Sequence, residues 1–565
     1  MGRQRHQQLR WWWASFGLVV ISGLLIRWVF LPVLRLINTA LFPQAEVPFV
    51  SLANLARIIQ FHPWVTVALI LELVIVWWLL MAGWAAFILG MKEVYWPAGS
   101  WQHWISQLTG TVHHFQGRQW WQTLVDFVAL APLFSVAFRT PLLIGIRIPE
   151  FLLDYGTRHW WLFVIMLLVY LGCLSSTILH RGTLLDSILK VTCDKQQVHR
   201  GSVWQLSGTL LGAGIVSWLI NAVLAGLQLI LAPDNQWGGI ASLIIAETAA
   251  VALLGWVLMR WLELLEPELF NQVPQVHRQW AGWSLAGLLI LLVNIGLSGF
   301  QYLNRPSLRR PVTIAHRGVA DRNGVQNSIE VLRLTSRRYH PDYIEMDVHE
   351  TKDRQFVVMH DENLRQLTGV DKRPGQLTLK QLTKLTAHEN GHQAKVASFD
   401  DYLKVAGQLH QKLIVELKTT RYDSRDVVER FNHQYGNLIV RRHYLVHSLD
   451  YGLVRRLQRL NPRMQVLYLQ AYNFTNPQKH IVGFNNEYST LNQRFIDAVH
   501  RQGKPVFAWT VNSRGAMKQL VNQQVDGIVT DRLPELQRTI RQTIRQQSVV
   551  ERYWNLLNPI SNLPA

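Results

Sequence analysis

Residues 312–361 read VTIAHRGVADRNGVQNSIEVLRLTSRRYHPDYIEMDVHETKDRQFVVMHD. A β-branched run leads into His316-Arg317-Gly318, a helix-like segment follows, and two strand-like runs carry Glu345, Asp347 and His360-Asp361. Only Thr351-Lys352-Asp353-Arg354 separate 343–350 from 355–360, too few for a parallel crossover, so the two runs are expected to pair as an antiparallel hairpin. A turn centred near Lys352 and Asp353 puts Glu345 opposite His360 and Asp347 opposite Val358. Residues two apart on a strand share a face, so Glu345 and Asp347 point the same way. Such a pair is either a solvated face or the edge of a cation site, and the second case calls for a hard divalent metal with oxygen ligands. The nearby His316-Arg317-Gly318 and His360 favour the second case, placing an acid/base pair, a metal site and a cation for phosphate within one short stretch.

Outward from this stretch, 311–540 alternates strand and helix. Strands are expected at 312–316, 343–347, 412–417, 443–448, 465–470, 484–489, 505–511 and 527–530, with helices such as 328–338, 424–434, 450–459, 492–502 and 514–523 between them. With 355–360 counted as the return arm of the hairpin, eight β/α units predict a (β/α)8 TIM-type barrel whose active site lies at the carboxy-terminal strand ends. Polar residues gather at those ends: His316 and Arg317, Glu345 and Asp347, Glu416 and Lys418, Ser448, Glu487, Trp509 and Asn512, Thr530 and Asp531. Any one of them has an ordinary structural explanation; their shared placement does not. Glu416 would complete a three-carboxylate site with Glu345 and Asp347, while Arg317 and Lys418 suit a phosphate.

The first half of the 565 residues is different in kind. Overall, 49% of residues are apolar, 16% are charged and 24 are Trp, and the long apolar runs lie before about residue 300. An α-helical transmembrane domain of about seven spans is predicted over 1–305, at 12–32, 64–90, 124–146, 160–179, 207–232, 239–264 and 281–300. Trp11 to Trp13, Trp64, Trp160, Trp161, Trp204, Trp237 and Trp280 near span ends fit interfacial belts. Of the loop cations, eleven between Arg3 and Arg278 fall on one side and four, Arg35, Arg57, Arg147 and Arg158, on the other. The excess of basic residues predicts a cytoplasmic amino terminus and, after seven crossings, an extracytoplasmic barrel at the plasma membrane. Arg305, Arg309 and Arg310 directly follow the last span. Glu72, Asp126, Arg139 and Glu247 lie inside spans, where internal pairing is favoured over a transport path. Two cysteines, Cys173 and Cys193, make no disulfide framework or thiolate metal site. The net charge of +19 comes without a nucleic-acid module, so membrane lipids or a phosphate-rich polymer are the expected electrostatic partners.

HRG, the NS of Gln326-Asn327-Ser328, EMD, VVMHD, LIVELK, VHSLD, FAWTVN and VDGIVTD resemble the sequential motifs of the glycerophosphodiester phosphodiesterase family, over about 311–540. The hydrophobic half is similar to the subgroup with an N-terminal multi-span membrane domain, and 541–565 is left as a C-terminal tail. The resemblance implies hydrolysis of a glycerophosphodiester to glycerol 3-phosphate and an alcohol. It makes His316 and His360 the acid/base pair, Glu345, Asp347 and Glu416 ligands of one Ca2+ or Mg2+ ion, and Arg317 and Lys418 phosphate contacts. Trp509 and Glu487 are further candidate substrate contacts. Lipid-derived or poly-glycerolphosphate substrates at the membrane surface fit the tethering of such an enzyme to spans. A phospholipase C- or D-like lipid phosphodiesterase is the alternative enzyme, and a barrel that only binds or transports is the alternative class.

Overall fold

The computed structural model describes residues 2–41, 62–95, 168–173, 201–231, 234–265, 278–303, 308–420, 422–471, 476–545, 549–550 and 552–553, with single residues and pairs elsewhere. The chain divides into two compact units. One comprises Met1–Leu34, Val67–Arg305 and Ser548–Pro559; the other comprises Arg35–Thr66, Pro306–Gln547 and Ile560–Ala565.

The first unit is helical. Its described helices include Gly2–Leu25, Pro63–Tyr95, Gly201–Leu231, Gln236–Leu265 and Arg278–Leu303. Among the described residues four stretches are long and apolar enough to cross a membrane: Phe16–Leu41, Gly212–Ile230, Gln236–Arg260 and Ser284–Leu303, with Pro63–Leu79 as a shorter apolar helix. The spans expected at 124–146 and 160–179 lie largely outside the described residues. The first span runs later than the expected 12–32, because Arg27 and Arg35 do not end the helix; a π-helical turn, Ile26–Phe30, carries it into Leu31–Leu41. Long arginine stems lie along apolar surface and keep their charge at its edge, so an arginine need not mark a terminus. Glu247 is fully buried, while Asp126 and Arg139 fall outside the described residues. Residues of the expected tail pack on this unit. Val549 and Tyr553 are buried, and Arg552 Nη1 donates to the Leu303 carbonyl at 2.8 Å.

The second unit contains the expected barrel. Its parallel strands are β1 (Val312–Ala315), β2 (Tyr343–Glu350), β6 (Leu413–Leu417), β7 (Leu445–Ser448), β8 (Val466–Gln470), β9 (Gly483–Glu487), β10 (Val506–Trp509) and β11 (Gly527–Thr530). They pair in the order β1-β11-β10-β9-β8-β7-β6-β2, and β1 pairs with β2 to close the ring. Several helices start where sequence chemistry demands. Ser328, Ser398, Asp450, Asn492 and Ser513 each accept a hydrogen bond from a first-turn amide, satisfying a donor that has no partner within the helix.

The hairpin forms with β3 (Phe356–Val358), but one residue away from the expected register. Val348 lies opposite Val358, and Met359 N donates to the Asp347 carbonyl at 3.0 Å. The reason is the turn. Thr351 and Gln355 close it, and Arg354 takes a left-handed φ of 58°, so an additional residue is accommodated. Between β3 and β6 the chain is not a single crossover helix. It builds an insertion with a two-stranded hairpin, β4 (Thr386–Glu389) and β5 (His392–Lys395), around its own core of Val357, Met359, Leu364, Leu382 and Ala394.

Inside the barrel, Ile314, Ile414, Leu467, Phe507 and Val529 make an apolar floor. Gly527 is required there, since a Cβ would come within 2.8 Å of both Phe507 Cδ1 and Val312 Cγ2. Gly527→Ala is expected to cost about 1–3 kcal/mol by overpacking. Urea unfolding of the purified chain should show a lower midpoint for the variant; an unchanged midpoint would mean that the floor has room the structure does not show.

Candidate active site

Two residues beyond the floor, on the same strand faces, the barrel interior turns polar. Ile314 is followed by His316, Ile414 by Glu416, Leu445 by His447, Gly483 by Asn485, Phe507 by Trp509 and Val529 by Asp531. Strand register sets Asp347 beside Glu416 and Glu416 beside His447. Glu345, Glu416 and His447 are all buried, with ligand atoms within 4.8 Å of one another. His447 Nε2 lies 3.5 Å from Glu345 Oε1 and 3.9 Å from Glu416 Oε2.

Two cations offset the carboxylates. Lys418 Nζ is 2.8 Å from Glu416 Oε1 and 3.1 Å from Asp347 Oδ1, and Arg317 Nε is 3.7 Å from Asp347 Oδ2. Asn327 holds Asp347 from the other side, donating to Oδ2 at 2.9 Å and accepting from its backbone amide at 3.2 Å. Arg317 sits at a left-handed φ of 52°; its backbone N–H donates to Glu345 Oε2 at 2.9 Å and its Nη1 to Gln326 Oε1 at 2.7 Å. Gln326 in turn donates twice, at 2.8 Å each, to Glu389 of the insertion hairpin. His447 Nε2, Asn485 Oδ1 and Arg317 Nε are buried here without a hydrogen-bond partner.

Both histidines of the expected acid/base pair are oriented through Nδ1. His316 meets Asp531 Oδ1 at 2.7 Å, and Asp531 Oδ2 accepts from Asn512 Nδ2 at 2.7 Å. His360 meets Asp361 Oδ1 at 2.8 Å. No partner for Nε2 of either histidine is found among the described residues.

Both halves of the chain have counterparts among known proteins. Residues 316–535 match the glycerophosphoryl diester phosphodiesterase family, and residues 5–258 match the membrane domain of glycerophosphoryl diester phosphodiesterase. YhdW of Bacillus subtilis, provisionally named a glycerophosphodiester phosphodiesterase, is 31% identical over 232 residues, which are 39% of this chain and 93% of YhdW. The chain belongs to this family. A glycerophosphodiester phosphodiesterase of Caldanaerobacter subterraneus is 25% identical over 244 residues, 39% of this chain and 94% of its own length. Among solved structures, an Oleispira antarctica phosphodiesterase in complex with the product sn-glycerol-3-phosphate is 21% identical with a TM-score of 0.37, covering 41% of this chain and 97% of that one.

In this phosphodiesterase the expected site residues fall at the same end of the barrel, but in different surroundings. Glu345 and Glu416 converge; Asp347 stands beside them between Lys418, Arg317 and Asn327. Glu487 is buried and closes its own turn, accepting from Ser489 Oγ at 2.6 Å and Thr490 N at 3.1 Å. Trp509 is half-buried, and its Nε1 donates to the Asn485 carbonyl at 3.1 Å. His447 and Asn485 were not singled out from sequence. The signal lay in the alternation, since His447 follows Leu445 as Glu416 follows Ile414.

The buried charges shift one another. Burial alone would raise the Asp347 carboxyl, but Lys418 and Arg317 outweigh it and hold Asp347 well below the usual carboxylate range. Burial would lower Lys418, yet Asp347 and Glu416 raise it. His316 is likewise raised: Asp531 overcomes burial and Arg317, while Asp531, which burial alone would raise, is brought down to about 2 mainly by His316. The His316–Asp531 pair therefore stabilises the fold fully between the unfolded-state values of the carboxylate, about 3.9, and the histidine, about 6.5, and this contribution fades as pH rises through the folded histidine value or falls towards the folded Asp531 value. Asp531→Asn should lower the His316 pKa, read by NMR of ring-labelled histidine. The stability lost in the variant should be larger at about pH 5.5 than at about pH 9. An unchanged His316 titration would remove Asp531 from this role.

Proposed function

We propose that this enzyme cleaves membrane-held glycerophosphodiesters with His316 and His360 as its proton-transfer pair. The observation that carries this is the pair of Nδ1–carboxylate contacts, which fix both imidazoles and leave each Nε2 for the substrate. Arg317 and Lys418 hold the diester phosphate, and the half-buried ring of Trp509 lies against the glycerol carbons, with Glu487 shaping the same wall.

Glu345, Asp347 and Glu416 suit a divalent cation. The convergence of Glu345 with Glu416, with Asp347 beside them, fits such an ion, and carboxylate oxygens suit Ca2+ or Mg2+. Bound there, it would draw charge from the phosphoryl oxygens and make phosphorus easier to attack. The protein's own groups do the rest. His316, whose hold on its proton Asp531 strengthens, gives that proton to the leaving alcohol oxygen, while His360 takes a proton from the attacking hydroxyl, whether of water or of the substrate's neighbouring carbon.

Each histidine-to-alanine variant should lose about 10²–10⁴-fold in turnover on a diester with an alkyl leaving group. With a p-nitrophenyl leaving group, which needs no proton, His316→Ala should recover most of its loss and His360→Ala should not. Recovery in His360→Ala alone would reverse the assignment, and equal recovery in both would cancel it.

The membrane domain and the apolar helices support a substrate confined to the bilayer surface, either a lipid-derived glycerophosphodiester or a lipid-linked poly-glycerolphosphate. The distribution of loop cations supports an amino terminus in the cytoplasm and a barrel outside the plasma membrane. Among the juxtamembrane arginines, Arg309 is exposed, Arg310 pairs with Asp342 at 3.1 Å and Arg305 lies outside the described residues. Protease added to intact cells should cut a site engineered after residue 545, and chelation should abolish turnover. Cleavage only after lysis would invert the topology, and turnover indifferent to chelator would remove the metal.

A further inference from the structure

Strand β7 delivers an imidazole to the carboxylates, and β9 supports it from behind. His447 is 2% exposed, and its Nε2, without a hydrogen-bond partner, faces Glu345 and Glu416. Its Nδ1 lies 3.1 Å from Nδ2 of Asn485, which is fully buried and whose Oδ1 also lacks a partner. With an amide N–H donating to Nδ1, a neutral imidazole would carry its proton on Nε2, pointing it at the carboxylates. Turning the Asn485 amide by half a revolution about its last bond exchanges oxygen and nitrogen in place. Nδ1–H then donates to Oδ1, and the Nε2 lone pair faces the two glutamates. One rotation thus pairs Nδ1–H with Asn485 Oδ1 and leaves the Nε2 lone pair free to bind a cation.

We infer that His447 Nε2 is a ligand of the divalent cation held at Glu345 and Glu416, that Asn485 positions it, and that this nitrogen makes the site select Mn2+ over Ca2+ and Mg2+. This rests on the reading of the carboxylate cluster as a cation site. Ca2+ and Mg2+ take oxygen ligands almost exclusively, whereas imidazole suits the first-row transition ions. A ligating histidine is fixed by an acceptor on its other ring nitrogen, which is the part Asn485 plays.

The test uses the purified full chain, stripped of metal and titrated with MnCl2, MgCl2 and CaCl2 by calorimetry. Electron spin-echo modulation of the Mn2+-loaded protein then reports any directly bound nitrogen. Wild type should bind Mn2+ at least about tenfold more tightly than either other ion and show a bound 14N. His447→Gln should lose the 14N signal and the preference while keeping its Ca2+ affinity. Asn485→Ala should weaken Mn2+ by about 10–100-fold, whereas Asn485→Asp, which can only accept from Nδ1–H, should restore it. Those two variants keep the imidazole and carry the test if His447→Gln does not fold. Mn2+ binding that requires Glu345 and Glu416 but shows no 14N would overturn the inference and leave the cation site standing, with His447 then an internal counter-ion. Binding indifferent to Glu345→Gln and Glu416→Gln would remove the cation site itself.

Discussion

Three buried carboxylates, Glu345, Asp347 and Glu416, crowd one end of a closed barrel, and their mutual repulsion is the constraint around which the site is built. Two unit charges about 4 Å apart interact by about 4 kcal/mol at an effective dielectric of 20, so such a cluster cannot stand without compensation. Lys418 reaches from the end of β6 to touch both Asp347 and Glu416, and Arg317 comes over from the end of β1. Removing one partner from such a set leaves a buried charge unmatched, which costs more than the intact set contributes. Asp347 is the hub, since it meets both cations and the side chain of Asn327.

The same constraint explains features that look local. Arg317 and Asn327 both adopt left-handed backbone conformations, and the Asn327 N–H donates to the Arg317 carbonyl at 2.8 Å. These strained positions aim one backbone amide at Glu345 and one side chain at Asp347. The insertion contributes from farther out, because Glu389 anchors Gln326 and Gln326 fixes the Arg317 guanidinium. Placement of the cation over the site thus depends on a hairpin that is not part of the barrel.

Much of this was legible in the residues. All eight barrel strands fall within a few residues of their expected places, because β-branched runs of that length between turn signals leave few alternatives. The end-of-strand residues His316, Glu416 and Asp531 follow from the barrel rule alone, whereas β2 runs on to Glu350, past Glu345, to form the hairpin arm. What could not be read is convergence between strands. His447 looks like any core histidine until closure sets β7 beside β6, and Asn485 acquires meaning only once His447 is in place. The hairpin register was missed for a smaller reason: nothing in the residue type of Arg354 announces a left-handed φ, and a shift by one residue exchanges strand faces. The insertion was missed because its strands are short, four residues each, and polar enough to pass for loop.

The contact between Arg552 and the Leu303 carbonyl sets an order in time. Helix Arg278–Leu303 ends in carbonyls that its own amides cannot reach, and a basic side chain near that end satisfies one of them. The residue that does so is translated only after every strand of the barrel. During synthesis that helix therefore waits with an open end until Arg552, 249 residues further along the chain, has been added. The helical unit is thus completed by a segment, Ser548–Pro559, that is translated after the barrel.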